Sequence, residues 1–163
     1  MNAENQDGKE KNQSLGSLIR KAGKAQRTLE FKCPYVPDFF VNLTYTSKFV
    51  LNQLREISRE VHTNLRTREK EERLNDDKLR KAYAQMIIRG WRGLTAKKLL
   101  YLLPDLEVAK EDLEKDIVYT QEICVAILES SLEFEAWVID VAMDLTNFQP
   151  VAELKEKEYE NLK

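Results

Sequence analysis

Few side chains in this sequence have reactive chemistry. His62 is its one histidine, and Cys33 and Cys124 are its two cysteines. An imidazole can act as a base, a thiolate as a nucleophile, and the set together could in principle hold zinc. Their spacing argues against each use. His62 lies between Val61 and Thr63, with no serine or cysteine pattern around it, and reads as a structural or exposed histidine. One histidine and two remote cysteines do not make a recognisable zinc set, and the cysteines read as reduced, buried thiols. Carboxylates are dense from Asp105 to Asp116 (Glu107, Glu111, Asp112 and Glu114 between them), but a charge run of this kind is ordinarily solvated surface. The phosphate-loop, dinucleotide-glycine and zinc-helix patterns are all missing from the sequence. The expectation is a non-enzyme with no catalytic residue, no cofactor and no metal.

Phosphate contact is the other chemistry to weigh. Arg66, Arg68, Lys70, Arg73, Lys78, Arg80, Lys81, Arg89, Arg92, Lys97 and Lys98 could form a basic surface. Two helices joined through Gly90–Thr95 would superficially make a helix-turn-helix. Against this, Glu69, Glu71, Glu72, Asp76 and Asp77 interrupt the run, and Ala96–Leu103 shows mostly leucine where a recognition helix carries base-reading Asn, Gln or Arg. A small nucleic-acid-binding regulator is therefore the weakest reading. The charge is nevertheless divided along the chain. Residues 48–98 hold 14 basic and 7 acidic groups, and residues 99–163 hold 5 basic and 16 acidic groups. Such a split can hold two faces of one monomer together, drive head-to-tail self-association, or leave two differently charged solvated surfaces.

The elements that must position these groups read as mainly helical. The 163 residues are enough for one domain with a real core. Hydrophobic residues make up 42% and charged residues 33%, while five glycines and four prolines are too few for a turn-dense all-β fold. There is no run of some 18 apolar residues to span a membrane, and the polar N-terminus is unlike a signal peptide. Residues 1–27 read as a disordered extension, 28–149 as a single helical domain and 150–163 as a polar tail. Thr28–Cys33 alternates polar and apolar residues as a short strand, ended by Pro34 and Pro37. The cluster Phe39, Phe40, Val41, Leu43, Tyr45 is a second strand or a buried loop.

Five helices follow in this reading. The first starts at Thr46 or Ser47 and carries the stripe Phe49, Val50, Leu54, Ile57, Val61. Residues 63–74 are a solvated helix extension or an exposed linker. The second runs from Asn75-Asp76-Asp77 to Gly90, which would supply a left-handed end. Thr95 caps a third that carries Leu99, Leu100, Leu102 and Leu103, and Pro104 stops it. Thr120 and Ser131 start the fourth and fifth.

Two markers punctuate this order. Arg89-Gly90-Trp91-Arg92-Gly93-Leu94-Thr95 stands between two helical patterns, and Asp144-Leu145-Thr146-Asn147-Phe148 closes the last apolar run. With Asn75-Asp76-Asp77-Lys78-Leu79 and Val118-Tyr119-Thr120-Gln121-Glu122 between and before them, residues 29–149 resemble the tail assembly chaperones of long-tailed (siphovirus-type) bacteriophages. The long N-terminal extension and the acidic insert between Thr95 and Tyr119 depart from that family's usual pattern.

The resemblance implies a non-catalytic protein of the host cytoplasm, absent from the mature virion. Such a protein would bind and solubilise the tape measure protein and help recruit the tail tube protein. It implies that a longer frameshifted form can exist, while the divided charge allows self-association. The alternative is a helical adaptor or structural subunit retained in a phage assembly. Gly90, Trp91, Gly93, Trp137 and Phe148 are expected to be structural. Partner contacts are expected from Phe39, Phe40, Tyr83, Leu99, Leu100 and Leu103.

Overall fold

A computed structural model describes residues 27–149. The expected extension (but for Arg27) and the expected tail lie outside the described residues. β1 (Thr28–Lys32) and β2 (Phe40–Thr44) form an antiparallel pair with Phe31 opposite Val41 and Leu29 opposite Leu43. Period-two alternation turns Val41 and Leu43 to the interior, where both are fully buried. The second edge of β2 takes β5 (Ile88–Arg92), so the strand order is β1-β2-β5. The cluster at 39–45 is therefore the central strand of a sheet.

Helix α1 (Lys48–Ile57) starts at Ser47, whose Oγ accepts a hydrogen bond from Val50 N at 3.3 Å. It buries Leu51 and Leu54 and leaves Phe49 and Ile57 exposed. The stripe read from the sequence was rotated: Leu51 belongs to it, and Phe49 and Ile57 do not. The helix stops at Ser58, whose Oγ donates to Leu54 O at 2.7 Å. The chain then turns into β3 (Arg59–Thr63) and β4 (Lys70–Leu74), a two-stranded antiparallel hairpin. This replaces the helix extension or linker expected for 63–74. The turn is locally specified. Asn64 Oδ1 accepts from Arg66 N at 3.0 Å and Thr67 N at 3.3 Å, and Arg68 takes a left-handed φ of 59°.

Helix α2 (Asp76–Met86) is capped by Asn75, with Asp76 and Asp77 in its first turn, and buries Leu79, Tyr83 and Ala84. It ends at Met86, four residues before Gly90. Gly90 is an extended residue of β5, and the expected left-handed helix end is not there. Thr95 caps the short α3 (Ala96–Leu99). The acidic segment after Pro104 contains a 3-10 turn at Lys110–Asp112 and folds back on α3: Ala96 N donates to Lys115 O and Lys97 N to Leu113 O. Helices α4 (Gln121–Ser130) and α5 (Leu132–Met143) share one buried residue, Ser131. Its N donates back to Ile127 O, and its Oγ accepts from Phe134 N. A 3-10 turn at Leu145–Phe148 follows.

α5 packs on β2, and α4 lies between α5 and α2. Arg80 of α2 reaches Glu135 of α5 at 3.0 Å, with both side chains mostly covered. Helix makes up 44% and strand 22% of the described residues. The expected mainly α domain with one short extended element is thus corrected to a mixed α/β architecture, with a three-stranded antiparallel sheet and a separate hairpin. The physical reason is that β5 and the hairpin carry little strand signal. Ile88–Arg92 contains a glycine and two arginines, and β3 and β4 bury neither face.

Candidate functional site

The two glycines bracketing Trp91 do different work. Gly93 takes a φ of 77°, and a Cβ built there would lie 2.3 Å from Asp38 O. It lets the end of β5 cross the turn that begins β2. Lys98 Nζ of α3 fastens the crossing, donating to Gly93 O at 3.0 Å and approaching Asp38 O at 3.5 Å. Trp91 points inward, half-buried, with its ring edge-on to Phe39 (6.1 Å between centroids) and Tyr119 (4.8 Å). Its Nε1 donates to Ile117 O at 2.8 Å, which ties the acidic loop to the sheet. Phe148 is fully buried between Phe31 and Tyr45, and Trp137 is half-buried against Phe134.

Beside Trp91 lies the partly buried phenol of Tyr119. Tyr119 Oη is 3.1 Å from both Ala84 O and Ile88 O, and its one proton serves either in turn. Burial, reinforced by the neighbouring Cys124 thiol, pushes the phenol from 10.0 up to about 12. Burial pushes Cys124 from 9.0 up to about 12 and raises Cys33 as well, so neither thiol is prepared as a nucleophile. Raised folded values mean that the fold keeps protons the unfolded chain releases. The stabilisation is complete below about pH 9 and is lost as pH climbs from there to about 12. The thermal midpoint should fall across that alkaline window. The phenolate absorbance of one tyrosine should appear only together with unfolding. Titration of all six tyrosines in the still-folded protein would refute this account.

No group of three or more His, Cys, Asp or Glu side chains among the described residues could hold a metal ion. A groove of about 400 Å³ between α2 and α4 is lined by Lys81, Gln85, Gln121, Glu122 and Val125. It is an open, solvated cleft without a nucleophile. The helix-turn-helix geometry is not formed either: strand β5 intervenes between α2 and α3, and α3 is four residues long.

What the molecule does present is apolar surface. Of the six expected partner residues, Phe39, Tyr83 and Leu99 lie instead in the core. Phe40, Leu100 and Leu103 keep accessible surface. Phe40 stands on the outer face of the sheet, between Lys32 and Arg92 on the neighbouring strands. The Arg92 guanidinium lies 4.1 Å from its ring centroid and forms a fork on Glu30 at 2.7 and 2.8 Å. That contact holds the Glu30 carboxyl below its usual range. Beyond α3, Leu100 and Leu103 are joined by Tyr101 and Leu106, 62% and 42% exposed. Lys98 fixes the start of this segment beside the sheet. Tyr101 and Leu106 were not among the expected contacts; the structure exposes them because α3 ends at Leu99.

A model of the YdaY prophage protein family matches residues 45–160. The chain belongs to this family. No curated protein and no solved structure matches it. The protein is therefore phage-derived, as the tail-chaperone resemblance also implied, but its family is defined by prophage origin and not by a tail function. The match begins one residue after β2. It includes the hairpin, the Gly90–Thr95 crossing and the Leu100–Leu106 segment, and it leaves out Phe40. The apolar surface beyond α3 thus lies wholly within the matched part.

Proposed function

We propose that this YdaY-family protein is a tail assembly chaperone. In this reading it works in the host cytoplasm without catalysis. It binds and solubilises the tape measure protein, helps recruit tail tube subunits, and leaves before the virion is complete. The observation that supports the reading is the apolar segment Leu100–Leu106, held beside a charged sheet face in a protein whose thiols are buried and inert. A long amphipathic rod exposes a continuous apolar stripe and aggregates. Short apolar patches rimmed by charge can cover such a stripe, and many weak copies along one rod gain avidity.

Co-expression of the full chain with the tape measure protein of the same prophage tests this, read as soluble recovery and pull-down. Soluble tape measure should increase, and Tyr101→Asp or Leu106→Asp should reduce that recovery several-fold while far-UV circular dichroism stays unchanged. No rescue by the unaltered chain, or its presence in purified virions, would sink the chaperone reading. Either result would point to an adaptor or structural subunit.

A further inference from the structure

Both outer edges of the β3–β4 hairpin are open among the described residues. Two hydrogen bonds show which backbone groups face outward: Asn64 N donates to Glu69 O, and Asn75 N to Ser58 O. Bonded pairs in an antiparallel ladder recur at every second residue. Ser58, Glu60, His62 and Asn64 are therefore bonded to β4. Arg59, Val61 and Thr63 aim their N–H and C=O groups out from β3; Lys70, Glu72 and Leu74 do so from β4.

We propose that the β3 edge is a dimerisation surface, on which β3 of a second copy of this chain pairs antiparallel around a twofold axis at Val61. In that register Arg59 bonds with Thr63 of the second copy and Val61 with its counterpart, all through outward-facing groups. Glu60 then stands opposite His62 of the second copy in the closer, non-bonded type of pair. A carboxylate faces an imidazole twice. Sliding the strands by one bonded step sets Glu60 against Glu60 or His62 against His62.

The β4 edge is less suited. Its twofold register also sets Glu71 against Arg73 twice but puts Glu72 on Glu72 at the axis, and the slid registers put Glu71 on Glu71 or Arg73 on Arg73, like charges that protect an edge from pairing. Apolar exposure favours the same choice. Val61 is 59% exposed, and Ile57 and Leu65, four residues to either side, are 63% and 95% exposed. The twofold register brings Val61 onto Val61 and Leu65 of each copy toward Ile57 of the other. Pairing β3 with β4 of a second copy would instead set Val61 on Glu72 and leave an open edge at each end. A twofold contact closes.

Sedimentation equilibrium of the full chain over a wide concentration series should show a reversible monomer–dimer equilibrium. Val61→Lys places two ammonium groups at the axis and should raise the dissociation constant about tenfold or more. Glu72→Lys should leave it unchanged. Val61→Cys should form a disulfide-linked dimer on mild oxidation, because bonded antiparallel pairs lie within disulfide reach. Thr63→Cys should not, and the native thiols are buried. This cross-link decides the matter even if the lysine variant folds poorly. A monomer at every concentration, an open-ended ladder of oligomers, or a dimer indifferent to Val61→Lys would each overturn the proposal.

Discussion

Replacing Gly93 with alanine should destabilise the fold by about 2–4 kcal/mol, read as a shift of the denaturant midpoint. Two effects add. The left-handed φ of 77° is strained for any residue with a Cβ. That Cβ would also lie 2.3 Å from Asp38 O, a backbone atom that cannot rotate away. Asp38 is itself left-handed, with a φ of 51°, so the turn has little freedom to yield. Gly90→Ala is the internal control. The nearest atom to its Cβ would be Asn42 Nδ2 at 3.8 Å, and its φ is not positive, so the change should stay within about 0.5 kcal/mol. Equal midpoints for the two variants would mean that the crossing of β5 over the β1–β2 turn is wrongly placed.

The same two glycines show what the sequence could and could not disclose. The caps were legible because each is local chemistry. Ser47, Asn75, Thr95, Thr120 and Ser131 each offer a side-chain oxygen to an N–H three residues on, and each starts a helix. The role of Gly90 was not legible, because a glycine after an apolar helical pattern reads equally as a helix end or a strand residue. Only the pairing with Asn42, 48 positions away, decides it. The hairpin escaped for a different reason. Lys70-Glu71-Glu72-Arg73 favours helix by propensity, and with both faces in water no alternation marks a strand. Its Asn64 turn was the one available signal.

The mixed fold also changes what the tail-chaperone resemblance rests on. That resemblance was drawn from the order of short motifs. Its markers prove to be scaffold: a strand crossing at Gly93, a ring cluster at Trp91 and an aromatic anchor at Phe148. Scaffold motifs report ancestry more directly than function. The family match shows phage origin alone, and the partner must be argued from surface residues, where Leu100–Leu106 and the β3 edge are separate regions of sequence.

Phe39 and Phe40 make that separation measurable. They are neighbours in sequence, and strand geometry sends them to opposite faces. Phe39 has no accessible surface and lies 6.1 Å from Trp91 and 6.2 Å from Phe134, so it joins the Gly93 crossing to α5. Phe39→Ala removes a ring from a site where backbone hydrogen bonds on both sides hinder collapse. The expected loss is about 3–5 kcal/mol, a large share of the 5–15 kcal/mol typical of a domain. Phe40→Ala removes a ring from the outer face and costs the Arg92 contact, which at an exposed site is about 0.5–1 kcal/mol. Urea unfolding of the two variants, side by side, reads the difference directly. Partner binding must then be tested at Phe40 alone, because any loss caused by altering Phe39 would follow from unfolding. Comparable destabilisation by both substitutions would place Phe40 in a core that the structure does not have. Loss of tape measure recovery with Phe40→Asp in a fully folded protein would extend the contact surface from α3 onto the sheet.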